Sequence, residues 1–296
     1  MSKYYDETLK AQEQKPRASE SSPVDVVSLV DAIKHATPAT ANAVSNAAKD
    51  LHPSGRQMPV LRVGNSLIAL STNDTPRAAF FREAYQSLRT RILRIHETGV
   101  RVFMLTSSVM LEGKTLTALN LALVCSQLRD HRVLLVDGDL RSRGLTCLLQ
   151  IDRQIGLSDL LSGRSSAAQT VLGTDQANLQ ILGAGTPCWQ TADLFASFRW
   201  TEFMAWAKDR FSIVLIDAPP MHKLADAELM SAACDGALFV VRASSTSREL
   251  ALACASRLDK NKFFGVILNG VSDGEGSNYE YYSGPSDAKN GTQGPR

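Results

Sequence analysis

No stretch of this 296-residue chain holds the roughly 18 to 20 consecutive apolar residues that a membrane-spanning helix requires. The opening residues, MSKYYDETLK, lack the apolar core of a secretory signal, so a cytoplasmic protein is expected. Cysteine is sparse and scattered. Cys125, Cys147, Cys188, Cys234 and Cys254 form no CxxC pair, which excludes zinc-ribbon spacing and a disulfide framework and leaves buried or incidental thiols. An excess of one charge is also missing. Against 32 Lys and Arg stand 30 Asp and Glu, and a formal net charge of +2 argues for neither nucleic acid nor an anionic membrane as direct partner.

What is present has the texture of an ordinary globular protein, with 44% hydrophobic and 21% charged residues. Residues 1–74 are rich in Ala, Ser, Thr, Gln and Lys and read as a mostly disordered arm, with short strand-like runs near 58–72. From Thr75, a cap followed by Pro76, a helix is expected through "TPRAAFFREAYQSLRTRILRIHE". Apolar strand-like runs then alternate with helical ones. The strands are "VRVFMLTS", "RVLLVDGD", "NLQILGAG", "FSIVLIDAP", "GALFVVRAS" and "FFGVILNGV"; the helices between them are "KTLTALNLALVCSQLR", "TADLFASFRWTEFMAWAKD", "DAELMSAAC" and "TSRELALACASRLDK". Continuous apolar strands separated by helices predict an α/β fold, a parallel sheet with helices on both faces, over residues 75–271. Residues 272–296, rich in Gly, Ser, Asn and Asp, form a flexible tail that carries Tyr279, Tyr281 and Tyr282.

The chemistry starts at "SSVMLEGKT", Ser107 to Thr115. A strand, a loop and then a helix opening at Lys114-Thr115 direct backbone N–H groups and a positive dipole end at a phosphate. Lys114 reaches the β- and γ-phosphates of a nucleotide, and the Thr115 hydroxyl ligates Mg²⁺. Ser108, Glu112, Gly113 and Leu116 complete the candidate nucleotide contacts. The first glycine of the general phosphate-loop pattern is missing, and Leu111 is the position where a left-handed backbone would cost a non-glycine residue about 1–2 kcal/mol.

Two further segments carry carboxylates at strand ends. "VLLVDGDLRSR" places Asp137 and Asp139 one residue apart, and "IVLIDAPP" places Asp217 before two prolines that stop the strand. Each aspartate alone suits a helix cap or a turn. Three of them, following a phosphate loop, suit Mg²⁺, a hard cation that takes oxygen ligands. Thr115, Asp137 and Asp217 are the candidate metal ligands, and Lys114, Asp137, Asp139 and Asp217 the candidate catalytic set for an ATP-dependent reaction. Asn269, at the end of "GVILN", meets the adenine ring or caps the turn before Gly270. Arg141 either steadies the acidic pair or the phosphates, or lies on the surface.

On these motifs the chain resembles the bacterial tyrosine kinases of exopolysaccharide and capsule assembly, specifically their cytoplasmic kinase component. The family's phosphate loop, TSS-x-P-G-E-G-K-[ST], is matched by "LTSSVMLEGKT", with Met110 for Pro and Leu111 for Gly. "VLLVDGDLRSR" and "LIDAPP" match its two aspartate motifs, and Asp226 and Asp235 fall in the expected places. "EAYQSLRTRI" echoes EAYRSLRTNI, with Gln86 where Arg is usual. The resemblance implies a P-loop NTPase fold of the MinD/ParA-like kind. It also implies ATP and Mg²⁺ as cofactors, Asp137 as proton acceptor, the tail tyrosines Tyr279, Tyr281 and Tyr282 as phosphoacceptors, and Glu83 and Arg89 as ring-interface residues. The implied partner is a membrane adaptor of the polysaccharide co-polymerase (Wzz-like, chain-length-determinant) type that recruits a homo-oligomeric ring to the inner face of the membrane. Two alternatives stay open: a nucleotide-binding regulatory subunit with little kinase activity, and a positioning ATPase. Val109, where positioning ATPases carry an extra lysine, weighs against the second.

Overall fold

A computed structural model of the protein describes residues 24–25, 76–151, 155–222 and 225–270. The expected strand-like runs near 58–72, the Thr75 cap and the tail with its three tyrosines lie outside these residues, as does the arm except for Val24 and Asp25.

In chain order the elements are β1 (Val24–Asp25), α1 (Pro76–His96), β2 (Val102–Ser107), α2 (Lys114–Ser126), β3 (Val133–Asp137), α3 (Gly144–Leu148), α4 (Leu157–Leu161) and α5 (Ala167–Thr170). They continue with β4 (Leu172–Gly173), β5 (Leu179–Leu182), α6 (Thr191–Ala196), α7 (Phe198–Arg210) and β6 (Ile213–Asp217). Last come α8 (Asp226–Ala233), β7 (Gly236–Arg242), α9 (Arg248–Ala255) and β8 (Phe263–Asn269). The strands form one sheet in the order β1-β8-β7-β2-β6-β3-β5-β4. From β8 to β5 every pairing is parallel, and the two-residue strands β1 and β4 close the edges antiparallel.

All six sequence-predicted strands are present; β2, β3 and β6 are buried along their whole length and so read as unbroken apolar runs. Successive residues divide between two cores. Phe103, Leu105, Leu135 and Leu215 pack with Tyr85, Leu88, Ile92 and Leu119 under α1 and α2. Met104, Val136, Ile216 and Phe239 pack with Leu157, Trp200, Met204 and Met230 under α4, α7 and α8. Helices therefore cover both faces, as the pattern predicts.

Two local readings need correction. "TADLFASFRWTEFMAWAKD", expected as one helical stretch, is two helices. Ser197 between them is extended (φ −75°, ψ 154°), and its hydroxyl donates to the Leu194 carbonyl at 2.6 Å. Ser is well suited to such a junction, since its hydroxyl competes with the helical backbone for hydrogen bonds. Between β3 and β5 the chain also forms α3, α4, α5 and β4, pieces too short to show a period in sequence.

The order of strands sets the site. β2, β6 and β3 are neighbours near the middle of the sheet, with Leu105 opposite Asp217 and Asp217 opposite Asp137. Phosphate loop and strand-end carboxylates thus converge on one edge, at the carboxyl ends of parallel strands, where such sheets bind ligands.

Candidate nucleotide site

β2 ends at Ser107, and the chain turns through Ser108–Gly113 into α2. The turn is pinned from below by the loop after β6: Met221 N–H donates to the Ser107 carbonyl (2.8 Å) and His222 N–H to that of Ser108 (3.0 Å). Leu111 has φ 67° and Gly113 has φ 89°, both left-handed. The condition raised by the sequence at Leu111 is therefore met, in a residue whose side chain is 74% exposed. Gly113 also needs its missing Cβ, because that atom would collide with the Asn269 amide.

Lys114 heads α2 and is only 8% exposed. Its ammonium donates to Asp217 Oδ1 at 2.5 Å and lies 3.8 Å from Asp139 Oδ2. Asp137 and Asp217 are completely buried side by side in the register of β3 and β6. Close packing here depends on Gly138, whose N–H donates to the Asp217 carbonyl (2.9 Å) and whose Cβ, if present, would strike the Met230 side chain. Asp137 Oδ2 accepts from the Thr146 N–H (2.8 Å) and hydroxyl (2.6 Å). Its Oδ1 has no partner, and neither has Asp217 Oδ2 or the Ser108 hydroxyl. Burial, then the charges of Asp217 and Asp139, push Asp137 up to about 7 against the Thr146 bonds. Burial also raises Asp217, opposed first by Lys114 and then by Thr115.

Buried polar atoms left without partners are uncommon in native proteins and call for a ligand or water. Asp137 Oδ1 and Asp217 Oδ2 belong to paired strand ends, with Lys114 on the other Asp217 oxygen, and suit a cation together with a charged oxygen-rich ligand. The cleft above holds about 580 Å³ and is lined by Lys114, Thr115, Asp139, Ser142, Arg242 and Asn269, among others. Among the described residues no three His, Cys, Asp or Glu side chains form a preassembled metal cage. A cation here would share its shell between protein, phosphate and water oxygens, the habit of Mg²⁺.

No family model matches the chain. Individual relatives do. Over 204 residues it is 32% identical to the tyrosine-protein kinase YwqD of Bacillus subtilis, an alignment covering 68% of this chain and 85% of the relative. The chain belongs to the bacterial tyrosine-protein kinases. A second relative, the tyrosine-protein kinase wzc of Salmonella typhi, is 35% identical over 192 residues, 64% of this chain but only 27% of that longer protein. Among solved structures, the kinase domain of the Escherichia coli tyrosine kinase ETK superposes with a TM-score of 0.63 at 27% identity, covering 69% of this chain and 80% of that one.

The other residues singled out for this tyrosine kinase occupy defined places. Glu112 is 2% exposed, its carboxylate accepts from the Val109 N–H, and it does not line the cleft. Leu116 is exposed at the first turn of α2 and lines the cleft. Asn269 donates to the Glu112 carbonyl at 2.9 Å and thereby holds the phosphate loop. Arg141 lies at the surface and not on the acidic pair; it binds Asp226 at 2.8 Å, which also accepts from Thr191. Asp235 accepts from the N–H groups of Arg101 and Val102 and pins the start of β2. Arg89 donates to the Val124 carbonyl (3.0 Å) at the end of α2, while Glu83 is exposed. Thr146 and Gly138 were not anticipated. Thr146 lies nine residues beyond Asp137 in a segment without periodicity, and only the Gly in "DGD" hinted at close packing.

Proposed function

We propose that this kinase transfers the γ-phosphate of ATP to tyrosine hydroxyls of its own chains and so regulates exopolysaccharide or capsule polymerisation and export. The observation that carries the reading is Lys114 held 2.5 Å from Asp217 beneath a left-handed phosphate loop, beside unpartnered carboxylate oxygens of Asp137 and Asp217. Those oxygens and the Thr115 hydroxyl fit Mg²⁺, which would supply charge neutralisation on the phosphates. Lys114 and the N–H groups of Gly113, Lys114 and Thr115 bind and orient the phosphate chain, and Ser108 offers a further donor. Phosphoryl transfer needs little else than such positioning and charge.

Asp137 accepts the phenol proton. A tyrosine hydroxyl titrates near 10, far above a carboxylate. Transfer of the proton is late, as the phenol oxygen bonds to phosphorus. Tyr279, Tyr281 and Tyr282 are the acceptors, presented by a neighbouring subunit of a ring in which Glu83 and Arg89 contribute to the contact. Among the described residues no helix is long and apolar enough to cross a membrane. A separate membrane adaptor of the co-polymerase, chain-length-determinant type recruits and activates the kinase at the inner face of the membrane.

One observation favours a second reading, a regulatory nucleotide-binding subunit with weak catalysis: the left-handed backbone at a leucine, φ 67°. ATP binding is common to both readings. Lys114→Met should abolish the rise in melting temperature that ATP-Mg²⁺ produces, because a ligand stabilises in proportion to its affinity for the native state. An undiminished shift in that variant would remove the phosphate-loop assignment.

A further inference from the structure

The side chain of Leu111 does not hold its own backbone left-handed, since it is 74% exposed and packs on little. The constraint comes from a hydrogen-bonded brace behind the loop. Glu112 Oε2 accepts from the Val109 N–H at 2.7 Å and closes the loop on itself. Glu112 Oε1 accepts from the Thr246 hydroxyl at 2.5 Å and, at the longer distance of 3.4 Å, from the Arg242 N–H. The Arg242 guanidinium donates to the Leu111 carbonyl at 3.3 Å, and Asn269 donates to that of Glu112 at 2.9 Å. The two successive peptide groups that follow the strained residue are thereby tied to the ends of β7 and β8. Thr246 itself does not line the nucleotide cleft.

We infer that Thr246 is a positioning residue for the nucleotide. Acting through the buried Glu112 carboxylate, together with Arg242, it keeps the Ser108–Gly113 loop in its phosphate-ready shape and takes the part that a glycine at position 111 would otherwise play. The inference rests on the ATP-binding reading above. Its physical basis is that a left-handed leucine relaxes to a commoner backbone unless its surroundings over-determine it. Every molecule with a relaxed loop is lost to binding, so the apparent dissociation constant rises as the competent fraction falls. A glycine has no such preference to relax.

The test is the dissociation constant for ATP-Mg²⁺ in the full chain, as parent, Thr246→Val, Leu111→Gly and the double variant. Thr246→Ala is measured alongside, in case valine disturbs folding, and Thr246→Ser as the conservative rescue. Loss of a hydrogen bond to a buried carboxylate should weaken ATP in the leucine background by about five- to tenfold. In the Leu111→Gly background the same change should cost less than about twofold, and Thr246→Ser should bind as the parent does. Nucleotide-free melting temperatures show that each variant is folded. Residues that act independently give additive effects, so an equal loss in both backgrounds, or none in either, overturns the brace. A parent that binds no ATP-Mg²⁺ overturns the nucleotide reading itself, a different result.

Discussion

Leu111 and Asp137 are the two residues at which this site departs from what local preference would choose. The left-handed leucine stores about 1–2 kcal/mol. The brace offsets only part of this strain, so Leu111→Gly should still raise the competent fraction of loops and tighten ATP about two- to tenfold, read by direct titration. A neutral or weaker result would mean that the loop has adapted fully to leucine, and the weak-catalysis reading would lose its support. Asp137 carries the opposite kind of strain. Its carboxyl is raised to about 7 in the folded protein, from an ordinary value near 3.8. A raised carboxyl binds its proton more tightly when folded, so it costs nothing below about pH 4 and destabilises increasingly as pH rises through 7. Asp137→Asn, which keeps an acceptor for Thr146, should thus stabilise the nucleotide-free protein at pH 8 by about 1–3 kcal/mol while removing phosphoryl transfer. Equal melting temperatures of the two proteins at pH 8 would contradict that account. At this scale the sequence was legible where chemistry and position coincide. Lys114, Thr115 and the three aspartates declare themselves by lying at strand ends and a helix start. Thr146 and Thr246 do not, because their partners are nine and 134 residues away and only the fold brings them together.

Among the elements, α4 shows how a short segment is fixed without periodicity. Asp159 accepts from the Gly156 and Thr186 N–H groups (3.0 Å each), the Thr186 hydroxyl (2.8 Å) and the Arg164 guanidinium (2.9 Å). It ties the start of α4 to the chain leaving β5. Burial alone would raise this carboxyl; the Thr186 and Gly156 N–H groups, the Thr186 hydroxyl and Arg164 together outweigh it and hold Asp159 at about 2. A depressed carboxyl contributes stability that is fully present above about pH 4 and is lost as pH falls toward 2. Asp159→Asn should cost about 1–2 kcal/mol at pH 7, allowing for screening around the largely exposed Arg164. In denaturant titrations the gap to wild type should close between pH 4 and 2.5; a constant gap would assign the loss to shape and not charge. Strands and long helices were readable here because burial on both faces, or on one stripe, writes itself into composition. The α6–α7 break at Ser197 and the pieces α3 to α5 are accompanied by local side-chain hydrogen bonds, such as Ser197 to the Leu194 carbonyl, and by clamps such as Asp159, which leave no period.

For the whole molecule, the α/β sheet and its strand-end site follow from alternation of apolar segments, whereas the tail lies outside the described residues and is known only as sequence. Its three tyrosines would gain roughly −5 charges when fully phosphorylated, at about −1.5 to −2 each. That charge would repel the carboxylates of a neighbour's site and crowd the tails around a ring. Changing Tyr279, Tyr281 and Tyr282 to Phe should remove most autophosphorylation, preserve ATP binding, and leave the protein more oligomeric with ATP than wild type in sedimentation.

Autophosphorylation of the tail is the central claim, and its most direct measurement is a phosphosite map. Purified protein, its Lys114→Met variant and a fragment of the membrane adaptor would be incubated with ATP-Mg²⁺ and digested for mass spectrometry. The account predicts phosphotyrosine concentrated at Tyr279, Tyr281 and Tyr282 in the wild type and none in Lys114→Met. Phosphate found chiefly elsewhere, for instance on Tyr4 or Tyr5, would contradict the tail as acceptor. No phosphotyrosine in the wild type, with ATP still bound, would contradict the kinase itself and leave a nucleotide-binding regulatory subunit.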